Sequence, residues 1–312
     1  MQIWLTHRYQ FVLLLADVPP AFRKDLAYIL ASADSLSRDS DQIKSKSTSV
    51  YQYADDLRLI INLKDEEDYD SAGEIMGHLE NYAKETGLDF NPSKSQLLCY
   101  GGVKDDFFLT LCETKIERSL QILDLGVKFS VHQSFHSHLE FATMKAGRVL
   151  NMVKQNLKVR STEVLKIVYQ MYFQPVITYA SQLWFNLDNS IIGKVRDLDR
   201  RFWKLAGNIQ RPEVLSTVQF MVVQQLMLYF DHMKGTVNLN LVDDFNDGQR
   251  SISTHGALNE DLHLSKPRVD SKKKEFVYTT TRLYNMLPAD QRSITSRSTF
   301  KRNAIDLAKL NF

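Results

Sequence analysis

Residues 50–61 read Val-Tyr-Gln-Tyr-Ala-Asp-Asp-Leu-Arg-Leu-Ile-Ile, with two adjacent carboxylates at their centre. Both arms are rich in β-branched, aromatic and aliphatic residues, which favour an extended backbone. The short polar centre favours a tight turn. The stretch therefore predicts a β-hairpin with Asp55 and Asp56 at its tip.

The paired carboxylates of Asp55 and Asp56 are the first chemical signal. Adjacent carboxylates concentrate negative charge, which is tolerated in water or beside cations. A hard divalent cation such as Mg²⁺ binds such oxygens and keeps coordination sites open for substrate phosphates. Two such ions can activate a 3′-hydroxyl and stabilise a leaving pyrophosphate. The alternative is a solvated acidic turn, which is the commoner setting of two adjacent aspartates taken alone.

Length and composition narrow the class of protein. A chain of 312 residues with ordinary apolar and charged fractions can hold one large domain or several small ones. Its net charge of +2 does not by itself indicate a nucleic-acid-binding protein. The two cysteines, Cys99 and Cys112, exclude a disulfide scaffold and lack the spacing of metal ligands.

The sequence also carries information about localisation. The apolar run at residues 11–16 is too short for a secretory signal, and an acidic residue follows it at once. No run approaches the length of a membrane span. We therefore expect an intracellular protein of the nucleus or cytoplasm that is not secreted and has no membrane partner.

Two motifs point to a family. Residues 53–56, Tyr-Ala-Asp-Asp, lie between hydrophobic arms and resemble the catalytic hairpin of reverse transcriptases. Residues 91–95, Asn-Pro-Ser-Lys-Ser, follow a Gly-Leu pair and resemble the next motif of that family. Residues 122–127 are similar to its Leu-Gly-Val strand. The chain thus resembles the reverse transcriptase of a non-LTR retrotransposon, of the LINE type and similar to the jockey group.

This resemblance implies an RNA-directed DNA polymerase, a nucleotidyltransferase that uses Mg²⁺ as its cofactor. It makes Asp55 and Asp56 the catalytic metal ligands, and it gives Lys94 the catalytic role of assisting the leaving pyrophosphate. It also implies that Tyr53 contacts the nucleic acid. The implied partners are an RNA template and a DNA primer, and a ribonucleoprotein is a further implied assembly.

The region before the hairpin departs from the family. Residues 17–22, Asp-Val-Pro-Pro-Ala-Phe, match the family's Gly-Val-Pro-Gln-Gly-Ser motif at Val18 and Pro19 only. They also fit Asp-x-x-x-Ala-Phe, the context of the family's first-strand carboxylate, but Asp17 lies too close to the hairpin in sequence for that role, and Arg23 replaces the following acid. Only 54 residues precede Asp55. We therefore expect an N-terminally truncated polymerase without fingers and without the first-strand carboxylate, inactive or nearly so.

The expected fold class is α+β. It comprises a partial polymerase palm of antiparallel β-hairpins with packed helices, then an all-α thumb-like region and a basic C-terminal tail. The expected parts are a degenerate remnant of the palm and fingers junction at 1–49, the reverse transcriptase palm at 50–131, a helical thumb-like region at 132–237, and a loop with a basic C-terminal segment at 238–312.

Apolar spacing gives more local predictions. It predicts a strand at Phe11–Leu15, a helix at 21–36, and further helices that begin near residues 65, 135, 161, 191 and 214. Thr162 is the expected cap of the helix that begins near residue 161. Pro175 is expected to interrupt the same helix.

Basic residues mark the expected nucleic-acid contacts. Arg200 and Arg201 lie on the helix that begins near residue 191, where a salt-bridged surface is an equal alternative. Lys272, Lys273, Lys274 and Arg282 lie in a basic segment with interleaved aromatic residues, which suits a phosphate backbone and base stacking. These residues support an alternative function, a non-catalytic nucleic-acid-binding remnant. The alternative for the basic segment is a solvated surface tail. A chain without maintained function, an expressed fragment of a mobile element, stays open as well.

Overall fold

A computed structural model of the chain describes residues 9–15, 48–53, 56–63, 66–86, 90–101, 103–132, 134–158, 160–206, 213–237, 262 and 276–312. The fold is mixed α+β, which confirms the expected fold class at that level, and it is mostly helical. The chain divides into two compact units, Thr6–Ser137 and His138–Phe312.

The first unit is built on a four-stranded antiparallel sheet. Its strands are β1 (Tyr9–Leu15), β2 (Thr48–Tyr53), β3 (Asp56–Asn62) and β4 (Gln96–Gly101). Their order across the sheet is β2-β3-β1-β4, so β1 lies between the hairpin and β4. The β2–β3 hairpin and the strand at Phe11–Leu15 are therefore confirmed. The helix expected at 21–36 lies outside the described residues.

One helix covers one face of this sheet. Leu57, Leu59 and Ile61 lie on one face of β3 and are buried in the core beneath this helix, while Ile60 is buried outside that core. The helix α1 (Glu66–Thr86) packs its apolar stripe into the same core as β3 and β4, which confirms the helix predicted to begin near residue 65. Burial raises the pKa of the Cys99 thiol in that core, and the positive charge of Arg118 opposes the shift. The core residues that these elements share are Leu57, Leu59, Ile61, Ala72, Ile75, Met76, Leu79, Ala83, Leu97 and Cys99.

Two small hairpins complete the first unit. The first pairs β5 (Thr110–Leu111) with β6 (Thr114–Lys115), and the second pairs β7 (Gln121–Asp124) with β8 (Val127–Ser130). Leu125 and Gly126 form the turn of the second hairpin at φ 44° and 81°. Two consecutive positive φ angles match the twist of a tight hairpin, and this is where the chain requires the conformational freedom of Gly126.

The second unit is all α in its described residues. Its longer helices are α2 (His136–Asn156), α6 (Asn189–Trp203), α7 (Thr217–Met233), α8 (Phe276–Asn285) and α10 (Arg297–Asn311). Shorter helical segments are α3 (Thr162–Val168), a π-helical turn (Tyr169–Phe173), α4 (Gln174–Thr178), α5 (Ser181–Trp184), a 3₁₀ turn (Lys204–Ala206) and α9 (Ala289–Arg292).

The helix predicted to begin near residue 161 is broken into α3, the π-helical turn, α4 and α5. Ser161 caps it by accepting a hydrogen bond from the Val164 N–H, so the prediction of Thr162 as the cap is wrong by one residue. The Gln174 N–H donates to the Tyr169 carbonyl five residues earlier, directly before Pro175. Because a proline cannot donate the next helical hydrogen bond, the wider π turn fits the predicted interruption.

A buried polar network joins three helical segments of the second unit. The Asp199 carboxylate is 3% exposed and accepts the Tyr169 hydroxyl at 3.0 Å. It also accepts the Thr217 N–H at 2.8 Å and the Thr217 hydroxyl at 2.6 Å. A buried charge is tolerated only with such partners, and the N-terminus of α7 favours a negative charge. Asp199 is therefore a buried residue of the core, although it directly precedes the exposed Arg200.

The C-terminal segment is folded over its described length. We expected a basic tail, but α8 and α10 both pack on α7. Phe300 stacks on Phe230 with ring centroids 4.6 Å apart, and Gln225 donates to the Thr280 hydroxyl at 3.0 Å. The tail prediction failed because the apolar spacing within residues 276–311 was given less weight than their positive charge.

We expect Asp199→Ala to lower the free energy of unfolding by about 2–4 kcal/mol, because it removes the buried carboxylate that accepts from the Tyr169 hydroxyl, the Thr217 hydroxyl and the Thr217 N–H. Urea denaturation followed by circular dichroism measures this loss. Asp197→Ala, an exposed position on the same helix, is the matched control and should change stability by less than about 0.5 kcal/mol. Equal losses in the two variants would contradict the structural role of Asp199.

Candidate functional site

The predicted catalytic hairpin closes at Tyr53 and Asp56. These two residues pair across β2 and β3, so only residues 54 and 55 connect the strands. Asp56 is the first residue of β3. Asp55 lies outside the described residues, as do the side chains of Tyr53 and Asp56.

The sheet register brings two other chain segments to the same edge. Leu15, the last residue of β1, pairs with Leu57, which directly follows Asp56. Leu14 pairs with Gln96, the first residue of β4. The end of β1 and the start of β4 therefore lie at the edge where the hairpin turns. Neighbouring strands are about 4.8 Å apart, so the starts of β3 and β4 are separated by about 10 Å.

Lys94 lies in a short hydrogen-bonded turn directly before β4, at this edge of the sheet. It ends the 3₁₀ turn Pro92–Lys94, and its N–H donates to the Asn91 carbonyl at 3.1 Å. The buried Ser95 hydroxyl donates to the same carbonyl at 2.9 Å, and the Ser93 hydroxyl donates to the Asn91 side-chain oxygen at 2.6 Å. The Lys94 side chain is exposed, two residues before β4 begins. The structure thus places Lys94 on the sheet edge that carries Asp56.

An ion pair that sequence reasoning missed lies next to this edge. The Arg58 guanidinium donates to the Asp124 carboxylate, and their side chains are 18% and 6% exposed. The signal available in the sequence was a basic residue inside one apolar strand and an acid inside another. Burial raises the pKa of the nearby Tyr100 to about 12, and the positive charge of Arg58 opposes that shift.

The oxygen donors at the hairpin tip suit a hard cation. Asp55 and Asp56 are adjacent in sequence at a strand end, and carboxylates are the ligands that Mg²⁺ takes from proteins. No group of three or more His, Cys, Asp or Glu side chains able to hold a metal occurs among the residues that the structure describes. Asp55 and Asp17, the two further candidates named from the sequence, lie outside those residues.

Some of the predicted nucleic-acid-binding residues are exposed in the structure, and others lie outside the described residues. Arg200 and Arg201 are exposed on α6, and Arg200 pairs with Asp197, as the salt-bridge alternative states. Arg282 is exposed on α8. Lys272, Lys273 and Lys274 lie outside the described residues.

Two aromatic residues assigned to stacking on bases belong to the core. Phe276 is 1% exposed. Tyr284 is half-buried and packs edge-on against Tyr229, with ring centroids 5.0 Å apart. Their assignment as stacking platforms is therefore wrong.

The second unit also carries a basic surface that sequence reasoning missed. Lys145, Arg148 and Lys154 are exposed on α2. The Lys145 ammonium lies 4.1 Å from the centroid of the Phe141 ring. The signal in the sequence was a run of five basic residues and a single acid between residues 140 and 160.

No protein-family model matches the sequence, and no curated protein matches it either. Among the described helices, none combines the length and the apolar character that crossing a bilayer requires. The functional interpretation therefore depends on the motifs and on the geometry of the sheet edge.

We expect Asp124→Leu alone to lower the free energy of unfolding by about 3–5 kcal/mol, because it removes the carboxylate that pairs with the largely buried Arg58 guanidinium. The double change Arg58→Met with Asp124→Leu removes both charges and should stay within about 1 kcal/mol of the unchanged protein. Thermal and urea unfolding of both variants measure the difference. A single variant as stable as the double variant would show that the pair is energetically unimportant.

Proposed function

We propose that the first unit is the palm of a reverse transcriptase similar to those of non-LTR retrotransposons, and that it performs RNA-directed DNA synthesis. The observation that supports this proposal is the β2-β3-β1-β4 register. It brings the Asp55–Asp56 turn, the end of β1 and the Lys94 turn to one edge of the sheet. A nucleotidyl transfer site needs acids and a proton donor within one substrate length of each other.

The strand β1 changes the expectation drawn from the N-terminal region. Too few residues seemed to precede the hairpin for a first palm strand, yet β1 pairs with β3 from Leu57 to Asn62. Asp17 follows β1 by two residues in the sequence. We assign Asp17 as the third carboxylate of the proposed site, in preference to the alignment of residues 17–22 with the family's glycine-rich turn.

Each residue has a distinct role in the proposed reaction. Asp17, Asp55 and Asp56 would hold the divalent cations. Bound Mg²⁺ supplies charge that activates the hydroxyl and stabilises the leaving pyrophosphate. The exposed ammonium of Lys94 donates a proton or charge to the pyrophosphate as it departs.

The proposed function also implies binding partners and a location in the cell. The substrates are an RNA template, a DNA primer and deoxynucleoside triphosphates, which suits an intracellular ribonucleoprotein. The helical second unit is proposed as the thumb-like part that holds the primer–template duplex. Its exposed arginines Arg200, Arg201 and Arg282 are the proposed phosphate contacts.

We expect the purified chain to extend a DNA primer on an RNA template in Mg²⁺, and we expect Asp55→Asn and Asp17→Asn each to lower the rate at least about 100-fold, because either change removes a metal ligand. Lys94→Ala should lower kcat about 10–100-fold, because it removes the proton donor. Gel-resolved primer extension under single-turnover conditions measures all three variants.

Two exposed positions of α1 provide controls for that assay. Asp70→Asn and Lys84→Ala make the same chemical changes away from the sheet edge and should leave the rate unchanged. Extension that persists in Asp55→Asn would overturn the assignment of the site. Extension lost in Asp55→Asn but unaffected in Asp17→Asn would overturn only the third carboxylate.

A second candidate function is nucleic-acid binding without catalysis. The observation that favours it is the exposed basic surface of Lys145, Arg148 and Lys154 on α2. Lysines and arginines along a helix neutralise phosphates independently of any metal site. This function needs none of the acids at the hairpin.

We expect the triple change Lys145→Ala, Arg148→Ala and Lys154→Ala to weaken RNA binding about tenfold or more near 0.1 M salt, because it removes three phosphate contacts. The slope of log affinity against log salt should become shallower by about 2. Fluorescence anisotropy of labelled RNA measures both quantities. Asp55→Asn should leave them unchanged, and salt-independent binding would exclude this function.

A further inference from the structure

One helical stretch of the second unit has two contrasting faces. From α3 through the π-helical turn to α4, residues four apart form ridges along the helix. One ridge lies entirely in the core, and each of its members is 0% exposed: Leu165, Tyr169, Phe173 and Ile177. The ridge two residues further along is exposed, and it consists of Ile167, Met171, Pro175 and Tyr179.

The exposed ridge carries large apolar and aromatic side chains. Ile167 and Met171 are 53% and 65% exposed, and Tyr172 and Tyr179 are each 54% exposed. Residues three or four apart on a helix are neighbours, so these side chains form one patch. Single apolar side chains are ordinary on a protein surface, but a contiguous patch marks an interaction site. We name this patch the 167–179 face; its members are Ile167, Met171, Tyr172, Pro175 and Tyr179.

The charges beside the 167–179 face favour a protein partner over a nucleic acid. Between residues 162 and 179 the sequence carries two charged side chains, Glu163 and Lys166, one of each sign. A phosphate backbone is bound by several lysines and arginines, which this face does not supply. Methionine and tyrosine are enriched where two proteins meet.

We infer that the 167–179 face binds a second copy of this chain as a two-fold dimer, independently of the proposed function. Met171 lies midway between Glu163 and Tyr179, so an antiparallel pairing about an axis at Met171 places Met171 against itself. Ile167 then faces Pro175 of the second copy, and Glu163 faces Tyr179. The Glu163 and Lys166 charges do not meet their own kind in this register. A two-fold interface uses one patch twice, so the chain needs no second complementary surface.

The area of the 167–179 face fits a weak dimer. Tyrosine side chains bury about 150–250 Å² each, so the two half-exposed tyrosines offer about 200 Å² per copy. Ile167 and Met171 are similarly exposed and offer about as much again. Two copies then bury about 800 Å² through these side chains, and the exposed flanking residues bring the total to about 1,000 Å². This area is the lower limit of a specific interface and is typical of transient association.

The test measures self-association of the purified full-length chain by sedimentation velocity between about 1 and 200 µM, with no nucleic acid present. The variants are Met171→Glu and Met171→Lys, each of which places two like charges at the axis of its own dimer. Met152→Glu is the matched control, because Met152 is an exposed methionine of α2 at 47% exposure. Circular dichroism verifies the fold of each variant.

We expect the unchanged chain to dimerise with a Kd on the order of 1–100 µM. Met171→Glu and Met171→Lys should each weaken dimerisation at least about tenfold, because like charges face each other. An equimolar mixture of these two variants should form a heterodimer within about threefold of the unchanged affinity, because opposite charges then meet. Met152→Glu should stay within about twofold. Rescue in the mixture identifies a second copy as the occupant, since a two-fold axis places one position against itself.

Several outcomes overturn the inference. A chain that stays monomeric up to about 200 µM has no such dimer. A dimer that Met171→Glu leaves intact uses another surface, and a mixture as weak as either variant alone excludes the two-fold register. If the chain is monomeric and both Met171 variants weaken RNA binding, the face binds nucleic acid instead. Should the Met171 variants fail to fold, Ile167→Gln and Tyr172→Gln replace them, and a dimer that both leave unchanged overturns the inference.

Discussion

The backbone hydrogen bonds of β1 are the constraint on which the first unit depends. β1 pairs with β3 on one side and with β4 on the other, both antiparallel. Antiparallel pairing reverses direction at every step, so the end of β1 meets the starts of β3 and β4 at one edge. A two-stranded hairpin alone is only marginally stable in water, and β1 joins the hairpin to a sheet with a packed face.

The same pairing explains why the candidate site lies where it does. The core under α1 fixes alternate residues of β3, since Leu57, Leu59 and Ile61 are all buried. A shift of register by one residue would expose these three and bury Arg58 on the wrong face. Packing of the core therefore holds the turn at residues 54–55, the end of β1 and the Lys94 turn in a fixed relation. The positions of the candidate site residues at this edge therefore depend on the buried core residues of the same sheet.

Sequence patterns predicted elements well and their details less well. The hairpin, β1, β4, α1, α2 and α7 follow from apolar period and from turn residues. The missed features are of another kind: the cap at Ser161, the turn at Leu125–Gly126, the burial of Asp199, and the packing of residues 276–311. The burial of Asp199 and the packing of residues 276–311 depend on contacts between residues far apart in the chain, whereas the cap and the turn are local details of backbone geometry. Asp199 resembles any helical surface acid until its partners Tyr169 and Thr217 are known.

The sequence by itself determined the presence of two carboxylates at a hairpin tip and of a lysine in an Asn-Pro-Ser-Lys-Ser turn, because these are local patterns of residue type and spacing. It also favoured the α+β class through its strand and helix periods. Only the tertiary structure decided that β1 lies between the hairpin and β4, and that Asp124 pairs with Arg58 across 66 residues. Strand order and long-range ion pairs depend on which surfaces exclude water together, and that free energy belongs to the folded chain rather than to any one segment.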